Sequence, residues 1–123
     1  TMHDTRTATL AEGFYLANMT LLPGLGFLAL LLLWLRHRNS DNAFARLHLA
    51  QTLRASLLGG VIAGSIALTA TLTGSWMHPS SWYAVEAYFI IVHSPLTVFG
   101  MIGLAKAMAG QPWRYPVIGP RFS

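Results

Sequence analysis

The sequence predicts an all-α integral membrane protein with three transmembrane helices, its N-terminus outside and its C-terminus in the cytoplasm. Three observations lead there. Only 10% of the 123 residues are charged and 54% are hydrophobic, against about 25% charged in soluble domains. The hydrophobic residues fall in long uncharged runs of bilayer length. The cations sit on one side of those runs: Arg36, Arg38, Arg46 and Arg54 around the first loop, Lys106, Arg114 and Arg121 around the tail, and none in the loop 73–81. Cations favour the cytoplasmic side, which fixes the expected threading.

Taken in order, residues 1–12 read as a polar segment in water or along the headgroups. A first span covers 14–35, about 33 Å of helix at 1.5 Å per residue, with a kink expected where Pro23 removes a backbone donor. The basic end of this run, Arg36-His37-Arg38, argues for a retained span over a cleaved leader. An elbow follows, with Ser40 or Asp41 as the expected cap of the next helix. The second span covers 44–72 and begins amphipathically, with Phe44, Leu47 and Leu49 among Arg46, His48 and Gln51. The third covers 82–108, with Trp76, Trp82 and Tyr83 suited to an interfacial belt. Residues 109–123 form a basic, Pro- and Gly-punctuated cytoplasmic tail. The whole chain is one membrane domain, expected in a bacterial inner membrane as a multi-pass protein.

Composition removes several function classes. No cysteine is present, which excludes disulfides, thiolate metal sites and cysteine nucleophiles. The excess of basic residues is spread over loop sides without an aromatic-interleaved patch, so no nucleic-acid partner is expected. No Ser–His–Asp pattern and no Gly-rich phosphate loop occurs, and the four acidic residues give little material for paired-carboxylate catalysis. The chain is not expected to be an enzyme, and no metal site is expected.

The candidate positions are of three kinds. His93 lies near the middle of the third span, where an ionisable group is costly and faces protein, water or a cofactor. Glu86, Ile90, His93, Thr97 and Gly100 share its helical face. No cofactor is required by this pattern, but haem, a chlorophyll-type pigment or a quinone would each find a contact in His93. A haem shared by His48 and His93 within one copy is excluded, because the two lie about 20 Å apart in depth. Arg46, His48 and Gln51 at the elbow, with Trp113, Arg114 and Tyr115 in the tail, are candidates for lipid or partner contact. Gly24, Gly26, Gly59, Gly60, Gly64 and Gly100 are candidates for close helix packing, since small residues let helices approach in lipid.

The elbow pattern Phe44-x-Arg46-x-His48-x-x-Gln51 and the tail Gly110-Gln111-Pro112-Trp113-Arg114-Tyr115-Pro116 resemble the Tic20-like group of small bacterial membrane proteins. The resemblance implies a short helical membrane domain and no defined reaction. Thr52-Leu53-Arg54 departs from the group's pattern, as do Glu86 and His93. The function expected from all this is a non-catalytic accessory subunit of a larger bacterial membrane complex, working through helix packing, lipid contacts and tail docking among other membrane subunits. The alternatives are a cofactor-binding subunit using His93 and a component of a translocation channel.

Overall fold

A computed structural model describes residues 5–120 and is all helical, with no strand among the described residues. Residues 1–4 of the expected polar segment and 121–123 of the tail, Arg121 included, lie outside the described residues.

The first helix, α1 (Arg6–Thr20), buries Ala8, Ala11, Glu12 and Tyr15, a stripe at i, i+3, i+4 and i+7 spacing that puts all four on one face. It stops where the sequence turns: the Leu22 N–H reaches back to the Ala17 carbonyl, Pro23 follows, and Gly24 adopts φ +87°, a left-handed value that glycine takes without strain. The Asn18 side chain closes the turn by accepting from the N–H groups of Gly24 (2.8 Å) and Phe27 (3.1 Å), two of the donors left open at a helix start. The second helix, α2 (Leu25–His37), then folds back along α1. Gly26 lies directly on Asn18; a Cβ there would meet the Asn18 Cα at 2.6 Å.

The kinked span expected over 14–35 is therefore two antiparallel helices. At 15 and 13 residues they are about 22 and 20 Å long, short of a hydrocarbon layer of about 30 Å. The polar surface expected for residues 1–12 is also corrected: from Arg6 onward they are helical, and Glu12 is fully buried.

Two helices are long and apolar enough to cross a membrane: α3 (Ala43–Thr73) and α4 (Pro79–Met108). Asn42, and not Ser40 or Asp41, caps α3 by accepting from the Ala45 N–H. Gly74, at φ +65°, ends it. Only 22% and 17% of the most apolar windows of α3 and α4 are buried; the core helix of a soluble protein would bury most of such a window. Leu57, Val61, Leu68 and Leu72 on α3 and Trp82, Ile90 and Ile91 on α4 are exposed. The exposed hydroxyls of α3 suit the same medium. Those of Ser65, Thr69, Thr71 and Thr73 each donate to the carbonyl four residues back, so their donors are satisfied within the helix.

Helix α4 has a wide turn at its centre. Tyr88–His93 is π-helical, and the Ser94 N–H bonds the Phe89 carbonyl five residues back. Pro95 accounts for it: the ring carries no N–H and crowds the carbonyl one turn behind, and a widened turn relieves both. The rod continues through Gly100 and Gly103 to Met108.

Ala8 packs with Phe44 and Ala107, Gly100 accepts the Tyr15 ring, and His93 bonds the Met19 carbonyl. Helix α1 thus runs parallel to α3 and antiparallel to α4, wedged against the half of that pair nearer the elbow. A Cβ on Gly110 would lie 3.6 Å from Thr5. The start of α1, the elbow and the tail consequently lie at one end of the bundle, with the loop around Gly74 and Trp76 at the other. The described ends of the chain therefore lie at the same end of the bundle, because Arg6–Thr20 and Leu25–His37 add one reversal to the three expected spans.

Candidate functional site

The site grows from α1. Glu12 is a carboxylate in a stripe of small and aromatic residues, and it is fully buried. A charge in that position must be matched by donors, or its desolvation goes uncompensated. Three side chains supply them. His48 Nδ1 donates to Oε2 at 2.5 Å, Gln51 Nε2 donates to the same oxygen at 3.2 Å, and the Tyr115 hydroxyl donates to Oε1. Helix α4 makes the room: Gly103 faces the carboxyl group, and a Cβ there would lie 2.7 Å from the Glu12 Cδ.

Gln51 also holds the tail. Its Nε2 donates to the Trp113 carbonyl at 2.9 Å, and its Oε1 accepts from the Tyr115 N–H at 3.0 Å. One amide therefore fixes the backbone on both sides of Arg114. The Tyr115 ring then fits among Tyr15, Phe99 and Trp113, with centroids 5.7–5.8 Å away, and Tyr15 donates to the Leu96 carbonyl at 2.7 Å. Burial pushes the Tyr115 phenol far above its ordinary value, and the neighbouring Glu12 charge adds to the effect. This phenol is a permanent hydrogen-bond donor. The cluster joins α1, α3, α4 and the tail through buried groups.

His48 Nε2 is buried without a hydrogen-bond partner, with the ring set edge-on against Phe44 at 4.8 Å. The only other such atom among the described side chains is Ser56 Oγ. No three His, Cys, Asp or Glu side chains come together among the described residues; what the cluster provides is a hydrogen-bonded latch on the tail.

The elbow and tail candidates divide. His48, Gln51, Trp113 and Tyr115 meet in this cluster, with His48, Gln51 and Tyr115 fully buried. They face protein, where a solvated or headgroup-facing helix start was one expectation. Arg46 turns to the Ser40 carbonyl, and Arg114 is exposed. His93 lies elsewhere, half-buried, with Nε2 donating to the Met19 carbonyl at 2.8 Å. Among the glycines, Gly26, Gly59 and Gly100 pack against neighbours within the chain. Gly60 and Gly64 face open space, and Gly24 serves the turn. Glu12 and Gly103 were missed by the sequence reading, although Glu12 falls in register with Ala8, Ala11 and Tyr15.

A family model describing the magnetosome magnetite crystal formation proteins, MamF and MmsF, matches residues 3–122. The chain belongs to that family. The match covers the whole cluster, from Glu12 to Tyr115, and it overturns the Tic20-like resemblance, which rested on two short motifs. No curated protein and no solved structure matches the chain. The family is linked to magnetosome magnetite crystal formation, and the two long apolar helices agree with a membrane protein.

Proposed function

We propose that the chain is a multi-pass protein of the magnetosome membrane that supports magnetite crystal growth as a non-catalytic accessory. The elbow, both described ends of the chain and the tail lie on the cytoplasmic side in this reading. The observation that carries it is the family match over residues 3–122. The threading draws on Arg36, Arg38, Arg46, Lys106 and Arg114 at one end of the bundle, with no Lys or Arg between Thr73 and Pro79 at the other.

In mechanical terms the protein is a scaffold. The Glu12 latch holds the tail against the bundle and fixes Arg114 beside the membrane, a rigid surface to which cytoplasmic or membrane partners can dock. Gly64, with open space over it, offers a second contact face for another membrane helix.

The test replaces the chromosomal copy in a magnetite-forming bacterium with a tagged chain and, separately, deletes it. The tagged chain should fractionate with magnetosome membranes, and the deletion should change crystal size or number in electron micrographs. A chain found in the soluble fraction, or crystals unchanged by the deletion, would contradict the proposal.

A further inference from the structure

Above the α1–α2 turn, α3 and α4 continue without those partners and leave a cleft of about 560 Å³ between them. That volume is within the roughly 300–1,000 Å³ of small-molecule sites. One wall is the α3 face Ser56, Gly59, Gly60 and Ala63, at i, i+3, i+4 and i+7. The opposite wall is the π-helical turn, which brings Tyr88, Phe89 and His93 to the cleft, and Phe27 with the α1–α2 turn forms the floor.

Two features separate this cleft from an ordinary gap between helices. Ser56 is 5% exposed, lines the cleft, and its hydroxyl has no hydrogen-bond partner in the chain. The other hydroxyls of α3 are bonded to its own carbonyls, so Ser56 stands apart from its helix. The Tyr88 hydroxyl lies close by, 3.5 Å from where a Cβ on Gly59 would sit. A buried hydroxyl without a partner and the Tyr88 hydroxyl thus stand at one end of a mostly apolar cleft whose other polar lining residues are Asn18 and His93.

We propose that this cleft binds the ring of a membrane-soluble quinone, with Ser56 and Tyr88 donating to a ring carbonyl and Phe27 and Phe89 flanking the ring. The inference rests on the membrane reading above. Gly60 is 17 residues past Ala43 and 13 before Thr73, about 26 and 20 Å from the two ends of α3, which sets the cleft at mid-membrane depth. Phospholipid headgroups stay about 15 Å from the midplane, and their hydrocarbon tails accept no hydrogen bond. A second helix in lipid already bonds its own carbonyls. A quinone ring on an apolar tail brings a free carbonyl acceptor to that depth.

The experiment titrates decylubiquinone into the full chain in phosphatidylcholine nanodiscs, reading intrinsic fluorescence against empty nanodiscs. Gly60 has open space over it, so Gly60→Leu fills the cleft without disturbing the packed core. Saturable quenching is expected in the native chain, weakened at least tenfold in Gly60→Leu and about three- to tenfold in Ser56→Ala, the range for one hydrogen bond. Non-saturating quenching equal in all three proteins would overturn the proposal. So would a dimer broken by Gly60→Leu with no quinone binding, because the cleft would then belong to a second copy. Alkaline carbonate washing of the source membranes separates the two readings. A chain that resists extraction but binds no quinone loses only the inference, and a chain that is washed off loses the membrane reading itself.

Discussion

Replacing Glu12 by Ala should release the tail. The carboxylate takes hydrogen bonds from His48, Gln51 and Tyr115, and all three donors are buried. Removing one partner of a buried charged cluster costs about 3–5 kcal/mol. Side chains in a membrane find replacement partners more readily, which lowers the figure towards about 2 kcal/mol. Gln51 keeps its two bonds to the tail backbone, so the loss falls mainly on Tyr115 and His48. At 1.4 kcal/mol per tenfold, a loss of about 3 kcal/mol raises the population with an open tail roughly a hundredfold. Arg114 is exposed and lies next to Tyr115, which makes trypsin a direct reporter. Cleavage there tracks the open population when the tail opens and recloses faster than it is cut. The expected result is cleavage after Arg114 at roughly 30–100 times the native rate in Glu12→Ala. Tyr115→Phe, which loses one bond to the charged group, should give roughly 10–30 times. A Glu12→Ala chain cut at the native rate would refute the latch.

Other outcomes follow from the same contacts. Gly103→Ala places a methyl group 2.7 Å from the Glu12 Cδ and should lower thermal stability by about 1–3 kcal/mol. Gly60→Ala meets nothing and should be neutral or stabilising by about 0.5–1 kcal/mol; the reverse order in a detergent melt would contradict the packing. Asn18→Ala uncaps α2 and should cost about 1 kcal/mol, measured in the same melt; no loss would mean that Asn18 does not hold the turn. For pH, the folded pKa of Tyr115 lies above its unfolded value of about 10, so its contribution to stability is complete below about pH 10 and is lost as the pH rises further. Tyr115→Phe should therefore leave the tyrosinate absorbance gained between about pH 9 and 11 unchanged in the folded chain, and a smaller gain would show Tyr115 ionising early.

The all-α class and the two long apolar helices were legible because lipid demands length and lack of charge, and both are written directly in sequence. The first 24 residues were not. Glu12 resembles a solvated acid until its donors are known, and Tyr115, which contributes one of them, is 103 positions away. The clue was local: Ala8, Ala11, Glu12 and Tyr15 form one stripe, which a surface segment has no reason to keep. Pro23 and Gly24 were visible as an interruption, but a kink and a reversal share those residues. What decides between them is Gly26 lying flat on Asn18, a contact between helices that hydropathy does not record. His48, Gln51 and Tyr115 stood out by residue type, yet type alone did not say that they face one another. The family assignment failed for a related reason, since short aromatic and polar motifs recur in small membrane proteins and weigh less than a match over nearly the whole chain.

The arrangement of α1 and α2 as a hairpin whose open end lies beside the elbow and the tail decides the rest, since the Glu12 latch exists only if α1 starts beside the tail. The chain has no cysteine, so single cysteines at Arg6, Asp41, Met77 and Gln111 can be labelled with a membrane-impermeant maleimide in sealed vesicles. Positions 6, 41 and 111 should react from the same side and position 77 from the other. Reaction of position 6 together with 77, and against 111, would contradict the account.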